Sequence, residues 1–295
     1  MHPDLLTRLD RIADALDRLS PPPATPASLD TADAFVWQGS TGTLRAVPGI
    51  SGVDLDLLRG IERQKRLVLD NTRHFASGRA GNNVMLWGAR GMGKSSLVKA
   101  CCTAVNREIP HGVALIEIAR DDLSSLPRLL DLLRDQPRRC ILFCDDLSFE
   151  TQDADYKSLK SVLDGGLLGR PANVLFYATS NRRHLMPRDM MENESGSAIN
   201  PQEAVEEKVS LSDRFGLWIG LHGCSQDIYL SIVDTYAAAR GLDQARDILH
   251  RKALEWAMER GSRSGRVAAQ FIDHFEACCD MRGAPLEKTG PESRS

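Results

Sequence analysis

Residues 88–95 (GARGMGKS) have the residue types and the spacing of a phosphate-binding loop, and they match the pattern G-x-x-x-x-G-K-[ST] in full. Glycines let such a loop bend so that its backbone N–H groups point inward, and the helix that follows adds its positive N-terminal end. Lys94 would then reach the β- and γ-phosphates of a nucleotide, and Ser95 would bind Mg²⁺. The alternative is a glycine-rich turn with a lysine that faces solvent.

This segment (the P-loop) and the serine after it supply the predicted nucleotide-binding residues. They are Gly88, Ala89, Arg90, Gly91, Met92, Gly93, Lys94, Ser95 and Ser96.

Two carboxylates follow another apolar run, CILFCDD, about 50 residues after the P-loop. A phosphate-binding loop needs a carboxylate at the end of a second buried strand to fix the magnesium. Asp145 is placed to anchor the Mg²⁺ through a water molecule or through Ser95. Asp146 is placed to polarise the attacking water. Acidic residues also follow strands simply because loops contact water. Together with the P-loop, however, the pair predicts a Mg-ATP site whose metal residues are Ser95 and Asp145.

Short apolar runs alternate with helical patterns along the middle of the chain. NVMLW, VALIEI, CILFC, NVLFYAT and LWIGL are predicted strands, and helices are expected after the first four. Buried runs of this kind between helices indicate a parallel sheet covered on both faces. After Cys224 the pattern becomes purely helical, with three amphipathic stretches that end at Gly241, Gly261 and Gly283.

These patterns divide the chain into five predicted parts. Residues 1–20 place Leu5, Leu9, Ile12, Leu16 and Leu19 on one face of a short helix, which packs either on its own domain or on a partner. Residues 21–47 are expected to be a linker and an irregular segment, residues 48–224 the α/β core, residues 225–286 a helical lid and residues 287–295 a loose tail.

The composition limits the classes of function. The 37 Lys and Arg residues nearly balance 40 Asp and Glu residues, so the composition does not support a nucleic-acid partner, although it is compatible with a local basic patch. No apolar stretch approaches the roughly 20 residues of a membrane-spanning helix, and the N-terminus does not resemble a signal peptide. We therefore expect a cytoplasmic protein without a membrane partner, whose seven cysteines are mostly buried thiols.

With these motifs the sequence resembles the AAA+ ATPase superfamily from about residue 49 to residue 283, and in particular uncharacterised bacterial AAA+ proteins. The resemblance implies a three-layer α-β-α P-loop NTPase sandwich followed by a small all-α lid, with ATP and Mg²⁺ as ligands. It also implies ATP hydrolysis in a homo-oligomer that acts on a protein partner, whose identity the sequence does not give.

The resemblance further implies roles for three residues outside the P-loop and the acidic strand. Asn181, after the fourth apolar run, matches the polar sensor-1 residue that helps to orient the water, and Arg214 in LSDRFG matches an arginine that reaches a neighbouring subunit's nucleotide. Arg266 matches the sensor-2 arginine of the lid, with Arg263 as a competing choice. With Asp146 they form the predicted catalytic set. Each also has a plainer interpretation, as a turn cap, a surface ion pair or an exposed arginine.

The sequence departs from the superfamily pattern at the acidic strand, which usually ends in Asp-Glu and here ends in Asp145-Asp146. Aspartate is one methylene shorter, so we expect slow or partner-stimulated hydrolysis unless Glu150 substitutes. The segment ARDDLSSLPRLL contains no aromatic residue of the kind that grips a threaded polypeptide in unfolding machines of the superfamily, and it leaves little room for the extra helix of replication initiators and helicase loaders. The alternatives to an active ATPase are a slowly hydrolysing switch that controls partner binding, or a nucleic-acid loader or remodeller.

Two further regions are open at this point. The segment 182–208 is basic, then acidic, and rich in methionine; it is either a partner-contacting or nucleotide-sensing loop or simply a solvated one. Ile61 or Val53 is the candidate for the adenine pocket.

Overall fold

The structure is a computed structural model that describes residues 28–148, 159–160, 163, 170–182 and 214–283. Several predictions fall outside these residues: the N-terminal helix of residues 1–20, Glu150, nearly all of the segment 182–208, and the tail 287–295.

Within the described residues the chain builds one sheet whose strand order is β2-β1-β4-β5-β6-β3-β7. All neighbouring strands are parallel except β1 and β2, which form an antiparallel pair at one edge. The strands are β1 (Ala34–Gln38), β2 (Thr43–Val47), β3 (Val84–Gly88), β4 (Ala114–Glu117), β5 (Cys140–Cys144), β6 (Val174–Ser180) and β7 (Leu217–Leu221).

Helices cover both faces of the sheet, and further helices follow its last strand in the sequence. They are α1 (Glu62–Ala76), α2 (Lys94–Glu108), α3 (Leu126–Arg134), α4 (Gln226–Ala239), α5 (Arg246–Glu259) and α6 (Gly265–Gly283), with 3-10 turns at Leu29–Thr31, Leu55–Leu57 and Arg120–Ser125. Among the described residues, no helix is both long and apolar enough to cross a membrane.

The side chains on the two faces of the sheet pack into two different hydrophobic cores. Along β5, Leu142 packs into a core that includes Leu129 of α3, whereas Phe143 packs into a core with Val68 of α1 and Leu97 of α2. Because alternate side chains of a strand point to opposite faces, a strand buried on both faces is continuously apolar, and every residue of β5 is buried. The structure therefore confirms the predicted three-layer α-β-α sandwich.

The helices after β7 form a third core of their own. Tyr229 of α4 is fully buried in it and donates a hydrogen bond from its hydroxyl to the Ala253 carbonyl of α5, at 3.0 Å. Phe271 and Phe275 of α6 pack in the same cluster, with ring centroids 5.5 Å apart. The all-α region predicted from helical periodicity is present.

The prediction of an irregular segment through residue 47 is wrong from Ala34 onward. Residues 34–47 form the β1–β2 hairpin, and β1 joins the sheet by parallel pairing with β4. Trp37 is buried and donates a hydrogen bond from Nε1 to Ser125 Oγ at 2.7 Å, which ties the hairpin to the segment before α3. A core that begins at residue 48 would leave these two strands out of the sheet they belong to.

Candidate functional site

The polar residues singled out from the sequence meet at one edge of the sheet. The P-loop follows β3, Asp145 follows β5 and Asn181 follows β6. These three strands run parallel, so their carboxyl ends lie side by side. This edge is the usual ligand-binding position in parallel α/β sheets.

Two glycines of the P-loop occupy positions where a side chain would be strained. Gly88 has φ 142°, and a Cβ there would lie 2.1 Å from the carbonyl oxygen of Leu221 in the adjacent strand β7. Gly91 has φ 77°, and its Cβ would lie 2.8 Å from Ser264 Oγ, just before α6. The amide of Arg266 donates to the Gly91 carbonyl at 3.3 Å, so the first turn of α6 contacts the P-loop directly.

Lys94 begins α2 and is buried, with 7% of its surface exposed. Its ammonium donates to the carbonyl oxygens of Gly88 at 2.7 Å and Ala89 at 2.9 Å, and to Asn181 Oδ1 at 3.0 Å. Burial lowers the pKa of Lys94, while the nearby carboxylates of Asp145 and Asp146 act in the opposite direction. The lysine thus lies between the P-loop and the acidic strand, where a phosphate oxygen would compete for its donors.

Asp145, which follows β5, forms hydrogen bonds with helix α2 and with strand β6. Its Oδ1 accepts a hydrogen bond from Ser95 Oγ at 2.6 Å and another from Thr179 Oγ1 of β6. The two predicted metal residues are therefore in direct contact. Hard oxygen donors of this kind suit Mg²⁺, which usually binds one or two protein groups together with substrate phosphates and waters. In the described part of the chain, no group of three or more His, Cys, Asp or Glu side chains is arranged to hold a metal.

Asp146 has an unusual backbone conformation, with φ 53°. Its amide donates to Thr179 Oγ1 at 3.0 Å, and its Oδ1 accepts from Nδ2 of Asn181. Its Oδ2 lies 3.9 Å from Arg90 Nη2. When a non-glycine residue adopts this conformation, the surrounding structure must stabilise it. Such residues are concentrated at functional sites.

A cavity of about 700 Å³ opens between the sheet edge and helices α4 and α6. One end is polar and includes residues 90–95 of the P-loop, Asp145, Asp146 and Asn181, whereas Gly88 and Ala89 do not line the cavity. The other end is largely apolar and lies between the segment before α1 and helix α4. Its residues are Val53, Leu57, Leu58, Ile61, Ile228, Ile232 and Tyr236. The cavity has the size and the polarity contrast of a small-molecule site.

Some of the remaining predicted residues line the cavity and others do not. Arg266, Ile61 and Val53 line the cavity, whereas Arg263 does not and instead donates to Gln226 Oε1 at 3.4 Å. Arg214 is not among the lining residues either. It precedes β7 and so lies near the end of that strand opposite to the P-loop.

Sequence reasoning missed Thr179 and the contribution of α4. Thr179 is a polar residue inside an apolar strand, and it lies two positions before Asn181 and hence on the same face. That pattern was a usable signal. The apolar residues of α4 carry no such signal, because residues that face a cavity and residues that face a core have the same helical spacing.

The chain is similar to one protein family and to several solved structures. The profile of the family described as "Protein of unknown function (DUF815)" matches residues 30–278. A variant of RuvB from Thermotoga maritima is 13% identical with a TM-score of 0.45, and the two chains are covered to 76% and 72%. The structure titled Thermotoga maritima RuvB Holliday junction branch migration motor is 14% identical with a TM-score of 0.44 and the same coverage. No protein with a curated function matches the sequence.

The parallel sheet, the strand-to-helix P-loop, the acidic strand beside it and the helical region that follows are the arrangement that the resemblance to the AAA+ superfamily implies. Because the profile match spans most of the chain, the protein belongs to the family described as "Protein of unknown function (DUF815)".

Proposed function

We propose that this protein binds Mg-ATP in the 700 Å³ cavity and hydrolyses it to ADP and inorganic phosphate. The observation that carries the proposal is the contact of Ser95 with Asp145 at 2.6 Å, directly beside the buried Lys94. In a P-loop protein these are the hydroxyl, carboxylate and ammonium groups that a Mg-triphosphate requires. The triphosphate would lie along the P-loop at the polar end, and the base at the apolar end.

The chain's own residues can provide both binding and positioning. Lys94 would exchange its carbonyl and amide partners for phosphate oxygens, while the P-loop amides and the start of α2 bind the remaining phosphate charge. Arg266, whose backbone already contacts the P-loop, would bring the positive charge of the lid to the γ-phosphate. Bound Mg²⁺, held by Ser95 and Asp145, would neutralise charge on the β- and γ-phosphate oxygens.

The chemical step would be an in-line attack by water. The water oxygen bonds to the γ-phosphorus as the bond from that phosphorus to the bridging oxygen breaks. Asp146 would accept a hydrogen bond from this water, and Asn181 would orient it, because both side chains already face each other at the polar end. Proximity and electrostatic stabilisation account for most of such a reaction.

A slowly hydrolysing switch that controls partner binding is the second candidate function. One oxygen of Asp146 is engaged by Asn181, and its short side chain extends from a constrained backbone. Both features would limit its ability to activate water unless a partner or the nucleotide rearranged it. This candidate predicts tight ATP binding and ATP-dependent partner binding with negligible turnover.

Assembly into a homo-oligomer is part of the proposal. Arg214 lies before β7, whereas the cavity-lining His222 follows it, and a five-residue strand separates its ends by roughly 13 Å. We therefore expect Arg214 to act, if it acts on nucleotide, in the cavity of a neighbouring copy.

The experiment is titration of Mg-ATP into the wild type, Lys94→Ala and Lys99→Ala. Lys99 is on the same helix α2 but pairs with Glu117 at 3.6 Å and does not line the cavity. We expect Lys94→Ala to weaken ATP binding by at least about tenfold, because it removes a charged donor to phosphate, and Lys99→Ala to bind normally. Equal binding by all three proteins, or no binding by the wild type, would refute the proposal.

A further inference from the structure

Arg90 occupies the middle of the P-loop and lines the polar end of the cavity. Its side chain is 77% exposed, and its Nη2 lies 3.9 Å from Oδ2 of Asp146. A long-range, solvent-exposed ion pair of this kind contributes little to stability. Folding therefore does not explain why a charged side chain extends from the P-loop toward the acidic strand.

The two oxygens of Asp146 face different groups. Oδ1 accepts the hydrogen bond from Asn181, and Oδ2 faces the Arg90 guanidinium. A carboxylate with a cation at one oxygen and an amide donor at the other is a poor base for water. The same Asn181 also accepts from Lys94 at 3.0 Å, so Arg90, Asp146, Asn181 and Lys94 form one connected polar group at the phosphate end.

We propose that Arg90 is a sensor of the γ-phosphate that acts in its own chain, an inference that rests on the proposed ATP site. A triphosphate lying along the P-loop places its terminal, most negatively charged group between Arg90 and Asp146. Arg90 then leaves the Asp146 carboxylate and binds the γ-phosphate, for which a planar guanidinium is well suited. Oδ2 of Asp146 becomes available to the attacking water.

This exchange distinguishes ATP from ADP. ADP lacks the group that Arg90 would bind, so in the ADP state the guanidinium stays beside Asp146. Arg90 is thus expected to contribute to the affinity for triphosphate and to the rate of hydrolysis, while contributing little to the affinity for ADP.

The test compares Arg90→Ala and Arg90→Lys with Arg107→Ala as the matched control. Arg107 forms an exposed pair with Asp54 at 2.9 Å, its side chain is 67% exposed, and it does not line the cavity. For each protein the dissociation constants of ADP and of a non-hydrolysable ATP analogue are measured in Mg²⁺, together with phosphate release from ATP. Retained ADP binding shows that each variant is folded.

We expect Arg90→Ala to lower the preference for the ATP analogue over ADP by about tenfold, as the loss of one charge-assisted contact implies, and to slow phosphate release. Arg90→Lys should restore part of the preference, and Arg107→Ala should change nothing. An unchanged preference in Arg90→Ala overturns the inference, as does faster phosphate release at an unchanged preference, since Arg90 would then only restrain Asp146. Failure of the wild type to bind ATP would instead remove the proposed site itself, and this inference with it.

Discussion

Thr179 fixes the relative positions of the two acidic residues at the end of β5. Its hydroxyl donates to Asp145 Oδ1 and accepts from the amide of Asp146, and only 1% of its surface is exposed. Hydrogen bonds to charged groups are stronger than neutral ones, and their loss leaves buried polar groups without partners. The positions of both the proposed metal residue and the proposed water-positioning residue therefore depend on one threonine.

We expect Thr179→Val to raise the Mg²⁺ concentration for half-maximal ATP turnover and to lower turnover about tenfold, because the loss of one charged hydrogen bond corresponds to that factor. Thr179→Ser should retain most of the activity. Thr72→Val is the control: Thr72 is also buried, bonds Val68 and Tyr177, and lies outside the cavity. The same Mg²⁺ requirement in Thr179→Val and the wild type would contradict this role.

At the scale of single residues, many candidate site residues can be predicted because they belong to short sequence motifs. Lys94, Ser95 and Asp145 each follow a recognisable apolar run, and the structure brings them together. The left-handed conformation of Asp146 and its contact with Arg90 could not be predicted, because both depend on how two loops approach each other in space.

At the scale of elements, the P-loop forms a junction with the first turn of α6, where the Arg266 amide donates to the Gly91 carbonyl at 3.3 Å. Gly91 allows it, since its backbone has φ 77° and a side chain there would meet Ser264 Oγ at 2.8 Å and Arg266 Cβ at 3.2 Å. The junction connects the phosphate end of the sheet with the helix that carries Arg266.

Gly91→Ala should therefore lower the free energy of unfolding by about 1–3 kcal/mol, the usual cost of a disfavoured backbone conformation, and weaken ATP binding as well. Urea unfolding and ATP titration measure the two effects. Gly49→Ala provides the comparison, because a Cβ at Gly49 meets no atom within 4 Å. Equal unfolding midpoints for the two variants would show that the junction tolerates a side chain.

The elements themselves were predictable where periodicity is strong. The five apolar runs became β3 to β7, and the three amphipathic stretches became α4 to α6. The β1–β2 hairpin was missed, because β2 is an edge strand with a single buried residue, Leu44, and its alternation is weak. The contact between α6 and the P-loop was also beyond prediction, since nothing in either segment specifies the other.

At the scale of the whole molecule, the placement of Arg214 leads to a prediction about assembly. The Arg214→Ala variant has an intact cavity but lacks the arginine. The Lys94→Ala variant has the arginine, but its cavity lacks the lysine proposed to bind phosphate. If Arg214 acts on a neighbouring copy, each variant alone should turn over ATP slowly, and a mixture should recover activity at interfaces that pair an intact cavity with an intact arginine. Phosphate release from mixtures of fixed total concentration measures this. Activity in the mixture that equals the average of the two variants would contradict a role between subunits.

In the proposed function ATP is hydrolysed at the polar end of the cavity, and Asp146 is the residue proposed to position the attacking water there. The most direct measurement is the steady-state release of inorganic phosphate from Mg-ATP by the wild type and by Asp146→Asn, with ATP binding measured on the same samples. We predict a slow but linear release from the wild type and a release at least about 100-fold lower from Asp146→Asn, while ATP binding is retained. Equal release by the two proteins, or tight binding without any release by the wild type, would contradict the proposed hydrolysis at this site.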